Sequence, residues 1–198
     1  MEIRTLVLGP LATNTYLLTE GDKALLIDPA SKSEKLIDIL GELELMGILL
    51  THGHFDHIKA VDGLYEHYHC PIYLHKDDEE LARDKYAGSD FGFSVYINSP
   101  LQYLKEGKMK IGPFEFEVIF TPGHTPGSVI FVFDEVLFSG DTLFKGSVGR
   151  TDLKGGNASA LRESLRIFKD MDKDYIIYPG HDAPSRLSYE LLYNPYLS

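Results

Sequence analysis

Residues 51–57 read Thr-His-Gly-His-Phe-Asp-His, and they directly follow the apolar run Met46–Leu50. That run is too short for a helix and predicts a buried strand that ends where the histidines begin. With 8 His among 198 residues, a chance H-x-H-x-D-H is expected in roughly one such chain in a thousand. Converging imidazoles and carboxylates are costly to bury alone and are what a divalent metal requires. The segment therefore predicts a metal site, and Gly53 is expected to permit its tight turn. The spacing also allows two ions, with the H-x-H imidazoles on one and Asp56 with His57 on the other.

Three later strand ends repeat this pattern. Each time an apolar strand stops, a glycine turn follows, and a ligand-type residue stands beside it: His124 in T-P-G-H, Asp141 in S-G-D and His181 in P-G-H. Strand ends that face one way gather their loops in one crevice, where α/β proteins commonly place their sites. With residues 51–57 they supply five His and two Asp, enough for two ions if Asp141 bridges them. The other histidines, His67, His69 and His75, lack this context, and we predict structural roles for them.

Strands and helices alternate through two similar halves of the chain. This pattern predicts an α/β protein in which two mixed sheets pack together with helices outside. The length predicts one domain over residues 1–198. Among the helices, we expect one over residues 33–43 with Ser33 as its cap, and a charged one over residues 76–86. The aromatic loop over residues 86–103 either lines the crevice or packs beneath it.

Composition excludes several classes of function. The formal net charge is −11 and basic residues form no cluster, so nucleic-acid binding is not expected. No apolar run is long enough to span a bilayer, and the N-terminal residues are typical of strands rather than of a secretory signal. We therefore expect a cytoplasmic protein that acts on a small molecule without membrane partners. The single cysteine, Cys70, excludes an internal disulfide and is expected to be a buried, inert thiol.

Taken in order, T-H-G-H-F-D-H, G-H-T-P-G-S, G-D-T-L-F and P-G-H resemble the motifs of the metallo-β-lactamase superfamily, especially its glyoxalase II-like (hydroxyacylglutathione hydrolase-like) branch. The resemblance implies an αββα sandwich with a dinuclear metal site along one edge of the two sheets. It implies two divalent ions, Zn first, with Fe or Mn also suited to these ligand types. Carried over residue by residue, it implies that one ion is held by His52, His54 and His124, the other by Asp56, His57 and His181, with Asp141 as the bridge. Asp28 would orient a ligand rather than bind metal.

The resemblance further implies a hydrolase. A hydroxide that bridges the two ions would attack a small acidic thioester or ester, with Asp56 and Asp141 as the catalytic carboxylates. Arg150, in Gly-Arg-Thr-Asp, is a candidate to bind a substrate carboxylate. The alternative is that Arg150 ties down its own loop through Asp152.

Departures from the family pattern leave other functions open. Cys70 does not stand where the lactamases proper place a cysteine ligand, which predicts against antibiotic hydrolysis. Glyoxalase II continues into a C-terminal helical domain that contributes to glutathione binding, whereas this chain ends shortly after His181, so glutathione recognition is not implied. One alternative is a persulfide dioxygenase-like enzyme with one iron on His52, His124 and Asp141. Others are a lactonase or other small-ester metallohydrolase, and a non-enzymatic, metal-bound scaffold or sensor domain.

Overall fold

The computed structural model, which describes residues 1–89 and 92–197, contains two six-stranded mixed β-sheets. The first sheet has the spatial order β1 to β6, antiparallel from β1 to β3 and parallel from β3 to β6. Its strands are β1 (Glu2–Leu8), β2 (Thr13–Glu20), β3 (Lys23–Ile27), β4 (Glu44–Leu49), β5 (Ile72–Leu74) and β6 (Gln102–Tyr103). The predicted strand over residues 46–50 thus corresponds to the last four residues of β4 and the residue that follows it.

The second half of the chain forms the other sheet and a small ribbon. Its strands are β7 (Gly107–Ile111), β8 (Phe114–Phe120), β9 (Val129–Phe133), β10 (Val136–Gly140), β11 (Leu143–Phe144), β12 (Ser147–Val148), β13 (Ile176–Pro179) and β14 (Ser185–Arg186). The sheet order is β14-β13-β10-β9-β8-β7, and β11 and β12 form a separate two-stranded sheet. One parallel pair, β10 with β13, stands among antiparallel ones. The second sheet is therefore mixed as well, as predicted.

Alternate residues of the central strands point to opposite faces and define four layers. Leu18, Leu25 and Phe131 lie in the core between the two sheets. Their strand neighbours Leu17 and Ile130 pack on opposite outer faces. These outer faces are covered by helices α1 (Ser33–Leu40), α2 (Val61–Tyr68), α3 (Glu79–Ala82), α4 (Ala158–Ser164) and α5 (Leu187–Tyr193). The αββα sandwich expected from the resemblance is confirmed.

Two helical predictions need correction. The charged segment over residues 76–86 forms a 3₁₀ turn at Lys76–Asp78 and then only the short α3. The helix ends before residue 86 because the Asp84 side chain accepts a hydrogen bond from the Tyr86 amide. This bond forms a local turn that competes with continuation of the helix. Ser33 is also no cap: it is the first residue of α1, and its side chain fills the space left by Gly63 of α2.

The loops that follow β4, β8, β10 and β13 meet at one edge of the sandwich. Backbone hydrogen bonds join them, from Val129 N to Thr51 O (2.9 Å) and from Gly180 N to Gly140 O (2.8 Å). This edge is where the predicted ligand residues collect. Elsewhere, Cys70 is buried, and burial raises the pKa of its thiol to about 11, as expected for an inert thiol. In the part of the chain that the structure describes, no helix is both long and apolar enough to cross a bilayer.

Candidate metal centre

The structure brings all seven predicted ligand residues together in two groups joined by one carboxylate. In each group the ligand atoms lie within 4.8 Å of one another: the first is His52, His54 and His124, and the second is Asp56, His57 and His181. Asp141 lies between the groups. Its carboxylate oxygens are 3.4 Å from Nε2 of His124, 3.5 Å from Nε2 of His57 and 3.6 Å from Nε2 of His181.

Hydrogen bonds outside the cluster fix how four imidazoles face it. The Nδ1–H groups of His124 and His181 donate to the backbone carbonyls of Arg150 (2.7 Å) and Leu11 (3.1 Å). Nδ1–H of His57 donates to Asp28 (2.9 Å), and Nδ1 of His52 lies 3.0 Å from the Thr51 hydroxyl. Because these acceptors occupy Nδ1, each Nε2 is left as the inward donor atom, the arrangement typical of metal-binding histidines.

His54 faces the cluster through its other nitrogen. Its Nδ1 is 2.9 Å from Nε2 of His124, so the two atoms converge on one point. Burial, reinforced by the neighbouring His124, lowers the pKa of His54 to about 3. Burial and the nearby imidazoles also hold the pKa of His52 well below its usual value. Both side chains are therefore neutral at physiological pH, which is the form that binds metal.

The second group carries more negative charge. Burial lowers the pKa of His57, but Asp56, Asp141 and Asp28 outweigh it and raise the value to about 10. Burial opposes ionisation of Asp56, yet the charges of His57 and His181 and the Thr13 hydroxyl bring its pKa well below the usual range. Carboxylates that attract a proton to His57 Nε2 also attract a divalent cation to the same place.

Two buried polar atoms of the cluster indicate that the residues fit metal ions. Nε2 of His52 and Oδ1 of Asp141 have no hydrogen-bond partner among the residues that the structure describes, and an unpaired buried polar atom costs about 1–3 kcal/mol. Both atoms belong to residues that the sequence predicted as metal ligands. Neutral imidazole with carboxylate is a donor set suited to Zn, Fe or Mn. The chain thus has a His/Asp metal-binding cluster.

Asp28 lies beside the cluster with both oxygens engaged. By distance, Asp28, His52 and His57 could also hold an ion. However, one Asp28 oxygen accepts from the Thr51 amide (2.8 Å), and the other accepts from the Thr51 hydroxyl (2.6 Å) and His57. These bonds make an orienting role the better account. Asp28 itself adopts φ 51°, and its carbonyl accepts from the buried Thr15 hydroxyl, which holds it there.

Glycines in the motifs serve close packing. A Cβ on Gly180 would overlap Oδ1 of Asp141, so only glycine lets the His181 loop approach that carboxylate. Gly53 is also needed for space rather than for a special turn: its φ is not left-handed, but a Cβ would lie 2.9 Å from the backbone oxygen of Asp78. The expectation that Gly53 permits a tight turn is corrected accordingly.

A cavity of about 640 Å³ opens over the cluster. Apolar walls from Leu11, Phe144 and Leu153 adjoin His54, Asp56, His124, Asp141 and His181. Tyr86 of the aromatic loop lines the cavity as well, whereas Ile97 of the same loop is buried in the core. The loop thus does both things that the sequence left open; its residues 90 and 91 lie outside the described part of the chain.

Arg150 lines the cavity, but its guanidinium pairs with Asp152. Nε and one terminal nitrogen donate to the two Asp152 oxygens at 2.6 and 2.7 Å. This is the loop-tying alternative, and a contact with substrate stays a prediction. The backbone carbonyl of Arg150, which orients His124, is a role that the sequence did not indicate.

The polar start of β2 contains positioning residues that sequence reasoning missed. The Thr13 hydroxyl donates to Asp56 (2.8 Å), and the Tyr16 hydroxyl donates to the carbonyl of Pro179 (2.5 Å). Asn14, which is 1 % exposed, donates both amide hydrogens to the carbonyls of Pro179 and Asp182 (2.9 Å each). These contacts fix the loop that carries His181. The sequence did contain a signal for these contacts: β2, whose other residues are typical of a buried strand, begins with the four polar residues Thr13, Asn14, Thr15 and Tyr16.

We expect Asn14→Asp to lower the free energy of unfolding by about 2–4 kcal/mol, because a buried carboxylate would face two carbonyls in place of an amide that donates to both. Urea unfolding monitored by circular dichroism measures the change. Asn157→Asp, the same replacement at an exposed side chain whose oxygen only accepts, from the amides of Ser159 and Ala160, is the control and should cost under about 1 kcal/mol. Equal losses for the two variants would contradict this role for Asn14.

The remaining histidines lie apart from the cluster. The ring of His75 packs 4.2 Å from that of Phe120, and its Nδ1 accepts from the Asp77 amide. His69 ends α2 in a left-handed conformation, and His67 contacts the Tyr68 ring. These contacts agree with the structural roles predicted for them.

Comparison with known proteins gives a consistent result. The profile of the Metallo-beta-lactamase superfamily matches residues 8–181. "Probable metallo-hydrolase YqgX" of Bacillus subtilis is 36% identical over 207 residues, covering 100% of this chain and 98% of that protein. "Hydroxyacylglutathione hydrolase GloC" of Haemophilus influenzae is 32% identical over 209 residues, covering 100% of this chain and 99% of that protein.

Similar solved structures carry different functional descriptions. One is described as BLEG-1 B3 metallo-beta-lactamase, with 38% identity, a TM-score of 0.93 and full coverage of both chains. TTHA1623 in a di-iron-bound form has 39% identity and a TM-score of 0.89, covering 98% of this chain and 100% of that one. ETHE1 from Myxococcus xanthus has 29% identity and a TM-score of 0.78, covering 98% and 84%.

Proposed function

The chain belongs to the metallo-beta-lactamase superfamily, and on this basis we propose that it is a dinuclear metallohydrolase that cleaves small acidic thioesters or esters. The observation that carries the proposal is that two groups of ligand residues lie on either side of Asp141. The ligand atoms within each group are within 4.8 Å of one another. A site that holds one structural ion does not need a second group of ligands joined to the first by a shared carboxylate. The relative named as a hydroxyacylglutathione hydrolase supports a hydroxy-acid thioester as the first substrate class to test.

When bound, divalent ions would polarise a carbonyl and acidify a water so that hydroxide is available near neutral pH. The chain's own residues then fix the geometry. Asp28, Thr51 and the carbonyls of Leu11 and Arg150 hold imidazoles from behind. Because these partners are in place before substrate binds, little reorganisation is needed during the reaction.

The cavity walls support an acyl substrate. Leu11, Phe144 and Leu153 present apolar surface next to the ligand cluster, and they would exclude water from around a bound acyl group. Because a thiol has a pKa near 8.5, a thiolate leaves with little help from a general acid. A thioester therefore requires fewer specialised side chains than an amide would.

Arg150 is the proposed contact for the acidic end of the substrate. Arg150→Ala should raise KM for an acidic thioester about tenfold and leave a neutral thioester unchanged, because a charge-assisted hydrogen bond is lost. Asp152→Asn should lower KM for the acidic substrate, since it removes the carboxylate that occupies the guanidinium. Steady-state kinetics on a matched acidic and neutral pair measures both effects. Equal KM changes for both substrates would assign Arg150 to loop structure alone.

The function is tested by turnover of a substrate panel with metal-loaded protein. Hydroxyacyl thioesters of glutathione, simple thioesters, lactones and β-lactams should be compared, with release of thiol or acid as the readout. The proposal predicts the largest kcat/KM for an acidic thioester. β-Lactams belong in the panel because one similar structure is described as a B3 metallo-beta-lactamase. If β-lactams gave the largest kcat/KM, the proposal would be overturned.

A persulfide dioxygenase, the alternative that the sequence resemblance leaves open, is the second candidate, and the iron bound in the related TTHA1623, at 39% identity, favours testing it. It would use one iron on His52, His124 and Asp141, a subset of the cluster. The presence of Asp56, His57 and His181 as a second group favours the hydrolase. Oxygen uptake with a glutathione persulfide, absent under the hydrolase proposal, separates the two.

A further inference from the structure

Asp78 joins the two loops that carry His52, His54 and His124. Its side chain is 0 % exposed. One carboxylate oxygen accepts from the Gly53 amide (2.7 Å), in the middle of the H-x-H segment, and from the Thr125 hydroxyl (2.7 Å) directly after His124. The other oxygen accepts from the Gly127 amide (2.6 Å). One buried carboxylate thus connects both ligand loops through three hydrogen bonds.

The two glycines also provide the space for Asp78. A Cβ on Gly127 would lie 2.8 Å from the Asp78 carboxylate, and a Cβ on Gly53 would lie 2.9 Å from its backbone oxygen. Real Cβ atoms do not approach so closely, so both positions need glycine if Asp78 is to fit. Gly53, Thr125 and Gly127 therefore form a cradle shaped around this side chain.

We propose that Asp78 is a positioning residue for the metal held by His52, His54 and His124, because it fixes the spacing between the H-x-H loop and the His124 loop. The inference rests on the proposed dinuclear centre. Asp78 touches none of the three imidazoles in the contacts described above, so it acts through the backbone on either side of them. Removing such a supporting partner commonly weakens metal binding about 10- to 100-fold.

The second group of ligands is oriented by different partners. Asp56 is held by Thr13, and the imidazoles of His57 and His181 are held by Asp28 and by the carbonyl of Leu11. A defect at Asp78 should therefore weaken one metal site much more than the other. This selectivity distinguishes positioning from a general contribution to folding.

Asp78→Asn is the decisive variant because it preserves size but not acceptor capacity. An amide has one oxygen, so its NH₂ group would face an N–H donor on one side of the cradle. Full-length protein stripped of metal is titrated with Zn²⁺ against a chromophoric chelator, and with Co²⁺ for its visible spectrum. We expect one of two sites to bind about 10- to 100-fold more weakly, with a changed Co²⁺ spectrum, while the other site keeps wild-type affinity.

Asp62→Asn is the matched control. Asp62 lies on α2 and also accepts from two backbone amides and a hydroxyl, those of Asn98 and Ser99, away from the ligand loops. It should leave both metal affinities unchanged. Thr125→Val removes one of the three bonds at the cradle and should give a smaller loss at the same site, which keeps the test valid if Asp78→Asn folds poorly.

Outcomes separate this inference from the proposed function. Wild-type affinities at both sites in Asp78→Asn and Thr125→Val would overturn the positioning role, as would an equal loss at both sites. Failure of the wild-type protein to bind two ions would overturn the dinuclear centre and the inference with it. Absence of thioester turnover with selective weakening of one site would overturn the substrate proposal and support the role of Asp78.

Discussion

Asp141→Asn is expected to lower kcat/KM for a hydrolysed thioester about 10³-fold or more, the largest effect that we predict for one side chain. Its oxygens lie 3.4–3.6 Å from imidazole nitrogens of His57, His124 and His181. The amide removes a negative charge between the two ligand groups and replaces one acceptor oxygen with a donor. Loss of several kcal/mol of transition-state stabilisation corresponds to a rate effect of about this size.

The control for this variant is Asp182→Asn. Asp182 lines the same cavity, is exposed, and has φ 65°, a conformation that Asn tolerates well. It undergoes the same change of charge without lying between the ligand groups. We expect kcat/KM within about threefold of wild type. A similar loss in both variants would show that net charge in the cavity, rather than a shared metal ligand, explains the effect of Asp141→Asn.

Metal removal is expected to produce the largest change in stability. Ligand binding to the native state adds about 4 kcal/mol when free metal is 1,000 times Kd. For a chain of 198 residues, each kcal/mol shifts Tm by roughly 2–4 °C. Stripped protein should therefore melt roughly 8–16 °C lower for each ion lost, or roughly 16–32 °C below protein with both sites filled by excess Zn²⁺, measured by differential scanning calorimetry.

Unpaired polar atoms and uncompensated charges in the ligand cluster explain why the metal-free protein should be less stable. Within residues 1–89 and 92–197, His52 Nε2 and Asp141 Oδ1 are buried without a hydrogen-bond partner. The charges of Asp56, Asp141 and Asp28 outweigh the effect of burial on His57 and raise its pKa to about 10. Bound metal would coordinate these unpaired atoms and offset the negative charge of the carboxylates. The control is Mg²⁺, which prefers oxygen ligands and should not restore Tm. Equal recovery with Mg²⁺ would contradict an imidazole-based site.

Local sequence pattern was sufficient for the strand ends and for the residues beside them. His124, Asp141 and His181 each follow an apolar strand and a glycine. His52 follows the strand over residues 46–50 and directly precedes Gly53. Sheet topology brings such strand ends together. The alternation of Leu17 with Leu18 and of Ile130 with Phe131 likewise places strands between two layers. These features depend on neighbours in sequence, which is why they could be predicted.

The positioning contacts could not be predicted in this way because they join distant residues. Asp78 meets Gly53 and Gly127 across 25 and 49 positions, and Asn14 meets Pro179 across 165. Nothing within a few residues of Asp78 indicates that its side chain turns inward, and the charged run around it reads as an exposed helix. Asp78 instead ends the 3₁₀ turn over Lys76–Asp78, directly before α3, and its side chain is buried.

The number and identity of metal ions per chain test the dinuclear hydrolase most directly. The metal content of protein purified without added metal should be measured by inductively coupled plasma mass spectrometry, and the protein concentration by amino-acid analysis. We expect about two ions per chain drawn from Zn, Fe and Mn. One iron per chain, with Asp56, His57 and His181 replaceable by alanine without loss of metal, would contradict it and favour the dioxygenase.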